Sequence, residues 1–205
     1  ELINKVGLKV GVIDCEVFSI LNMFEFNYGN FDQLSILLNV GARKTQVGLV
    51  NKGMYVYTRD VQMGGEAYTQ NIAEALKVEL DHAETLKIAA SAGDQSIPNE
   101  VLQSIQATNE EFVGQIRVAL QDFRDNEPEH ESSPLNNFFL VGGGSPVLGL
   151  NTTIANNMQA NVSYLNPFQN FTGMARSIDP SSANVQARLF GVAAGLTLRQ
   201  MGDDA

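Results

Sequence analysis

The 205-residue sequence is poor in the residues that build disulfides, metal clusters and nucleic-acid interfaces. Cys15 is its single cysteine, so no intrachain disulfide can form, which suits a reducing compartment. Its two histidines, His82 and His130, lie in unrelated contexts and predict no metal-ligand cluster. Lysines and arginines number 13 against 23 acidic residues, giving a net charge of -10. This charge argues against nucleic acid as a partner, because nucleic-acid binding generally requires a basic surface.

Long hydrophobic runs are also missing. No stretch of about 18 uninterrupted apolar residues occurs, and the start lacks the pattern of a secretory leader, so we expect neither a transmembrane nor a secreted protein. Hydrophobic residues make up 44% of the chain, which is enough for a core. The first residue is Glu1 rather than Met, and we expect the chain to be a fragment of a longer protein.

Patterns typical of catalytic sites are not visible in the sequence. No Ser-His-Asp, Cys-His or paired-carboxylate arrangement stands out. Asp14 and Glu16 are close in sequence, but helix capping explains Asp14. Residues 125–134, which are acidic and contain proline, are predicted to be a solvated loop. We therefore predict no catalytic residue and no metal ligand on the protein.

Strand-like patterns are present in the first third of the chain. Residues 10–13 are predicted to form a strand, followed by a helix that Asp14 caps and that ends near Tyr28. Three further strands joined by short turns are predicted at residues 34–40, 46–50 and 54–61. Short connections between consecutive strands indicate a meander.

Helical periodicity replaces the strand pattern after residue 65. Residues 72–80 have one apolar face, and Asp81 with Glu84 has the spacing of a capping box for a short helix. Pro98 is predicted to open a helix of roughly 25 residues. The later predicted elements are a strand at 137–141, a helix at 149–158, a strand at 161–165 and a final helix capped by Ser181 or Ser182. This order indicates an α/β domain with a mixed sheet.

Two glycine-containing turns, residues 39–45 and 141–145, follow apolar strands directly. Glycine permits positive φ at such turns, and the missing Cβ lets a phosphate approach the backbone amides. Taken alone, each turn could be no more than a strand connection. Together, the two turns could close on one nucleotide.

The order of these motifs resembles an actin-like, ribonuclease H-like nucleotide-binding domain, and within that group the type IV pilus assembly protein PilM family. The segments that carry the resemblance are residues 38–41 with Thr45, 59–65, 83–87, 140–145 and 165–168. The resemblance implies that residues 1–30 are the last strand and connecting helix of a first actin-like domain. Residues 31–205 would be the second domain, with residues 69–136 as an inserted helical or α+β outer subdomain.

The resemblance also implies an ATP site, with Mg²⁺, in the full-length parent. Gly41 and Thr45 match the family's phosphate-side turn, whereas Asn39 replaces its acid, which weakens the case for hydrolysis more than the case for binding. Glu84 and Lys87 would lie near the adenine edge and the ribose, or would form a solvated salt bridge; both interpretations stay open. The expected adenosine-side residues are Gly142, Gly143, Gly144 and Ser145.

By the same resemblance, the parent would be a cytoplasmic scaffold at the bacterial inner membrane, with weak or no ATPase activity. It would bind the N-terminal tail of a PilN-like membrane protein and other pilus assembly proteins, and it could self-associate. The groove for the tail would lie chiefly in the first domain, so no partner-binding residue is assigned, and the chain alone could lack nucleotide affinity. The alternatives are an actin-superfold ATPase or small-molecule kinase, and an FtsA-like filament former.

Overall fold

The computed structural model describes residues 2–29, 33–130, 132–171 and 187–199. Their strands form one mixed sheet in the order β3-β2-β1-β4-β5. The strands are β1 (Ser35–Val40), β2 (Thr45–Asn51), β3 (Met54–Val61), β4 (Asn137–Val141) and β5 (Asn161–Tyr164). β1, β2 and β3 form the predicted antiparallel meander, and β4 is parallel to both β1 and β5. The predicted mixed α/β sheet is confirmed.

Helices cover both faces of this sheet. The helices of the described residues are α1 (Leu2–Lys5), which buries none of its residues, α2 (Glu16–Tyr28), α3 (Gly65–Leu76), α4 (Leu80–Ser91), α5 (Asn99–Asn126), α6 (Leu150–Met158) and α7 (Gly191–Thr197). Short 3-10 helices span Pro128–His130 and Ala187–Phe190. α5 has 28 residues and begins directly after Pro98, which confirms the predicted long helix. Because helices pack on both of its faces, the sheet is the middle layer of three.

The central strand β1 is buried because its alternate side chains enter two different cores. Ile36 and Leu38 pack in a core formed with α3, α5 and α6, whereas Leu37 packs in a second core with α2 and α7. Successive residues of a strand point to opposite faces of a sheet. Burial on both faces therefore requires an uninterrupted run of apolar residues rather than an alternation of apolar and polar residues.

The N-terminal segment differs from its prediction. Residues 10–13 pair with none of the described strands, and the side chains of Val10 and Ile13 are exposed. The expected strand there is wrong, since a strand is stabilised only by pairing with a neighbour. Asp14 does not occupy the N-cap of α2 either, because Cys15 does. The Asp14 carboxylate accepts hydrogen bonds from the Cys15 N–H and from Nε of Arg199, each at 2.8 Å.

The predicted capping box at Asp81 and Glu84 is also wrong. α4 begins earlier than expected, and Glu79 occupies its N-cap without a side-chain cap hydrogen bond. The Glu84 carboxylate instead accepts hydrogen bonds from Thr69 and Lys87. Because the carboxylate is bonded to Thr69 on α3 and to Lys87 one turn along its own helix, it does not cap α4, although its spacing in the sequence suits a cap.

The acidic segment after α5 is more ordered than a solvated loop. α5 extends to Asn126, a 3-10 turn follows, and the ring of His130 stacks on the buried ring of Phe123 with 5.8 Å between centroids. The prediction of a wholly solvated loop is therefore wrong for His130. The predicted final helix is found in part as α7, while Ser181 and Ser182 lie outside the described residues.

No helix among the described residues is long and apolar enough to cross a lipid bilayer. The predicted domain boundaries, at residues 30, 69 and 136, stay predictions.

Candidate functional site

A cavity of about 630 Å³ lies where the turns after β1 and β4, the start of α3 and one face of α4 meet. Its volume is within the range of roughly 300–1,000 Å³ that is typical of small-molecule sites. Five of the nine predicted cofactor-binding residues line it: Gly41, Glu84, Lys87, Gly143 and Gly144. The structure thus brings together parts of both glycine turns and of α4.

A backbone hydrogen bond joins the two glycine turns. β1 and β4 are adjacent parallel strands, so their carboxyl ends lie at the same edge of the sheet. The Gly144 N–H donates to the Val40 carbonyl at 2.8 Å, and the Gly65 N–H donates to the Gly41 carbonyl at 2.9 Å. The turn after β1 is therefore bonded both to the turn after β4 and to the start of α3, and these three segments form one wall of the cavity.

Four predicted cofactor-binding residues do not line the cavity: Asn39, Thr45, Gly142 and Ser145. The buried Thr45 hydroxyl donates to the Met63 carbonyl at 2.8 Å, and the Ser145 hydroxyl donates to a carbonyl of its own turn at 2.7 Å. Nδ2 of Asn39 donates to Oε1 of Gln46 at 2.9 Å. These side chains stabilise the turns in this structure, and their contact with a ligand stays a prediction.

Lys87 is the buried charge in the wall of the cavity, with 8% of the residue exposed. Its Nζ donates to the Gly65 carbonyl at 3.0 Å, to the Thr69 hydroxyl at 2.9 Å and to Oε2 of Glu84 at 2.6 Å. All three ammonium donors therefore have acceptors, as a buried charge requires. The predicted salt bridge between Glu84 and Lys87 is therefore present, but Lys87 is buried rather than solvated. Contact of Glu84 and Lys87 with adenosine stays a prediction.

The Glu84 carboxylate gives the site a predictable pH dependence. Burial raises the pKa of Glu84, but hydrogen bonds from Lys87 and Thr69 and the charge of Lys87 outweigh burial and lower it below the ordinary 4.5. Because the pKa of Glu84 is lower in the folded state, the ionised carboxylate stabilises the protein at pH values above 4.5. This stabilisation is lost as the pH falls through 4.5 towards the folded-state pKa.

We therefore expect Glu84→Gln to lower the free energy of unfolding near neutral pH, with a difference that shrinks in acid. The effect should be less than about 1 kcal/mol, because the carboxylate is 44% exposed and solvent screens the pair. Urea unfolding of both proteins across the acid range measures the difference. A difference that does not change with pH would contradict the assignment.

Sequence reasoning missed a polar network that fixes the loop between β4 and α6 beside the cavity. The Leu148 N–H donates to the Ser91 hydroxyl at 3.2 Å, and the buried Asn109 amide donates to the Leu148 carbonyl at 2.9 Å. The Tyr68 hydroxyl donates to Asn109 at 2.9 Å. No local pattern could have revealed these contacts, because the partners lie 39 to 57 residues apart in sequence.

The chain resembles known proteins both in sequence and in fold. The sequence matches the profile of the family described as type IV pilus assembly protein PilM over residues 1–201. A search of curated proteins gives no match. Among solved structures, the chain is similar to the one described as "PilM-PilN type IV pilus biogenesis complex", with a TM-score of 0.80 and 24% identity, covering 96% of this chain and 55% of that chain.

Two other solved structures have the same fold. For ethanolamine utilization protein EutJ from Carboxydothermus hydrogenoformans, the TM-score is 0.66 at 17% identity, covering 96% of this chain and 58% of that one. For MreB5 of Spiroplasma citri bound to ADP, the TM-score is 0.57 at 11% identity, and the match covers 95% of this chain and 61% of that one. This chain therefore spans only 55% to 61% of the length of these structures. The likeness confirms the predicted actin-like fold, and the profile match over residues 1–201 shows that the chain belongs to the PilM family of type IV pilus assembly proteins.

Proposed function

We propose that this chain supplies one part of an adenine-nucleotide site in a scaffold protein of type IV pilus assembly. The observation that carries the proposal is the cavity itself, where two glycine turns meet a helix on which buried Lys87 is paired with half-exposed Glu84. Gly143 and Gly144 line this cavity, and a flat base or a ribose can lie against their backbone. The half-exposed Glu84 carboxylate can accept hydrogen bonds from ribose hydroxyls.

Solved structures of the same fold support this ligand class. Two structures of MreB5 from Spiroplasma citri are described as bound to ADP and to AMPPNP. Their identities to this chain are 11% and 12%, so their support comes through the fold alone. The type of ligand in the proposal rests on this likeness together with the geometry of the cavity.

A magnesium ion would fit this site when it is carried by the nucleotide. Within residues 2–29, 33–130, 132–171 and 187–199, no three or more histidine, cysteine, aspartate or glutamate side chains are grouped to hold a metal. Asn39 has a neutral amide that is already bonded to Gln46. Mg²⁺ commonly takes one or two protein carboxylates together with substrate phosphates, whose charge it neutralises. The side chains present favour nucleotide binding over hydrolysis.

Nucleotide titration tests the proposal. ATP, with and without Mg²⁺, is titrated by calorimetry into the natural full-length protein, and we expect saturable binding with little hydrolysis. Asn39→Asp restores a carboxylate, so we expect it to increase the Mg²⁺ dependence of binding and of any hydrolysis. Absence of binding in the native protein, with folding confirmed by circular dichroism, would refute the nucleotide proposal.

We propose that the partner is the cytoplasmic N-terminal tail of a PilN-like membrane protein. The fold is shared with a structure described as a PilM-PilN complex, and that match covers 96% of this chain. Such a partner would place the protein at the cytoplasmic face of the inner membrane. The test is a pull-down of the full-length protein with the tail peptide, beside a scrambled peptide of equal charge. Equal retention by both peptides would remove the partner proposal and leave the nucleotide proposal standing.

A further inference from the structure

The cavity has a wall of the wrong charge for a phosphate chain. The carboxylates of Glu66, Asp81 and Glu84 line it. Lys87 is the one lysine or arginine among the described residues that line it, and its three donors already have acceptors. The phosphates of a nucleoside diphosphate or triphosphate placed there would face these carboxylates, and this repulsion between negative charges is unfavourable without an added cation.

A cation with an exchangeable partner lies at the edge of this cavity. Arg43 follows Ala42, which lines the cavity, in the turn after β1. Nε of Arg43 donates to Oε2 of Glu66 at 3.1 Å and to Oε1 at 3.4 Å. The Arg43 side chain is 85% exposed and that of Glu66 is 48% exposed. Ion pairs this exposed contribute little to stability, so the guanidinium can leave Glu66 at small cost.

Resting on the proposed function, we propose that Arg43 exchanges Glu66 for the phosphates of a nucleoside diphosphate or triphosphate bound in the cavity. A guanidinium binds phosphate oxygens in a bidentate manner, and a phosphate chain carries more charge than one carboxylate. Water can solvate the Glu66 carboxylate after the exchange, because that side chain is already half exposed. Arg43 would thus increase the affinity of the site for ligands that carry phosphates, while the opposite wall contacts the nucleoside.

Two substitutions at this ion pair have opposite expected effects. Arg43→Gln should weaken ADP binding by about tenfold, since it removes a charge-assisted bidentate contact. Glu66→Gln should strengthen ADP binding several-fold, because it removes both the competing acceptor and one repelling charge. Arg43→Gln should leave adenosine binding unchanged, because Arg43 does not line the cavity. Both side chains are at the surface, so both variants should fold as the native protein does.

The control is Lys44→Gln in the same turn. Lys44 is also about half exposed, but it is paired with Asp60 at 2.8 Å and does not line the cavity. Its loss alters the charge of the turn without removing the proposed phosphate contact, so we expect less than about a twofold change in ADP affinity.

Calorimetric titration of ADP and adenosine into the full-length native protein and the three variants decides the matter. If the native protein binds neither ligand, the proposed function fails. If the native protein binds ADP but Arg43→Gln and Lys44→Gln bind ADP with equal affinity, the exchange of Arg43 is refuted and the proposed function stands. Weaker ADP binding by Glu66→Gln would equally overturn the exchange.

Discussion

Gly142→Ala is expected to lower the free energy of unfolding by about 3 kcal/mol or more and to abolish the nucleotide binding that we propose for the cavity. Gly142 has a φ of +92°, a conformation that side-chain-bearing residues rarely adopt. A Cβ there would lie 2.4 Å from the Val40 carbonyl oxygen and 2.6 Å from Oδ1 of Asn39. The turn cannot move away easily, because Gly144 is hydrogen-bonded to the same Val40 carbonyl.

Gly93→Ala is the matched control for this prediction. Gly93 has a φ of +86°, but a Cβ there would meet nothing within 4 Å. Its substitution therefore carries only the conformational cost of about 1 kcal/mol. Urea unfolding of both variants separates that cost from the close approach of the two turns. Equal losses of stability in the two variants would contradict the packing of the β4 turn against β1.

The second large effect is expected at Gly195→Ala, where α7 crosses α2. A Cβ on Gly195 would lie 1.7 Å from the carbonyl oxygen of Ser19, so the two helices would have to move apart. Their separation would open the core in which Ile20, Met23 and Ala194 are buried. We expect a loss of about 3 kcal/mol or more in the free energy of unfolding, together with a lower melting temperature.

The control for the helix crossing is Gly114→Ala in α5. A Cβ on Gly114 would meet nothing within 4 Å, and alanine favours a helix interior over glycine by about 1 kcal/mol. The same substitution in two helices is therefore expected to have opposite signs, which thermal and urea unfolding can measure. A neutral or stabilising Gly195→Ala would show that α2 and α7 are not in close contact.

The sheet and the long helix could be predicted because their patterns are local. The apolar run at residues 34–38 predicts a buried strand, which is found as β1, and the periodicity after Pro98 predicts a long helix, which is found as α5. The same reasoning failed at residues 10–13, since an apolar run has the same pattern whether or not a partner strand lies beside it. It failed at Asp81 and Glu84 because the spacing of a capping box does not exclude a stronger partner on another helix.

The candidate site was predictable only in outline. The sequence placed glycine turns after two strands and indicated Glu84 and Lys87 on one helix, and the structure puts parts of all three beside one cavity. It also suggested Thr45 and Ser145 as ligand contacts, yet both hydroxyls donate to backbone carbonyls. These hydroxyls already donate their hydrogen bonds to carbonyls of the fold in the absence of a ligand, and residue type alone cannot reveal such bonds.

Residue types and their local order were enough to predict the fold class, the family, the neutral amide at Asn39 and the excess of acidic residues. The burial of Lys87 and the pairing of Arg43 with Glu66 at the edge of the cavity are visible only in the folded chain. The same is true of the hydrogen bond by which Asn109 fixes the loop at Leu148. Burial and hydrogen bonding depend on neighbours in space, and here those neighbours come from separate strands, turns and helices.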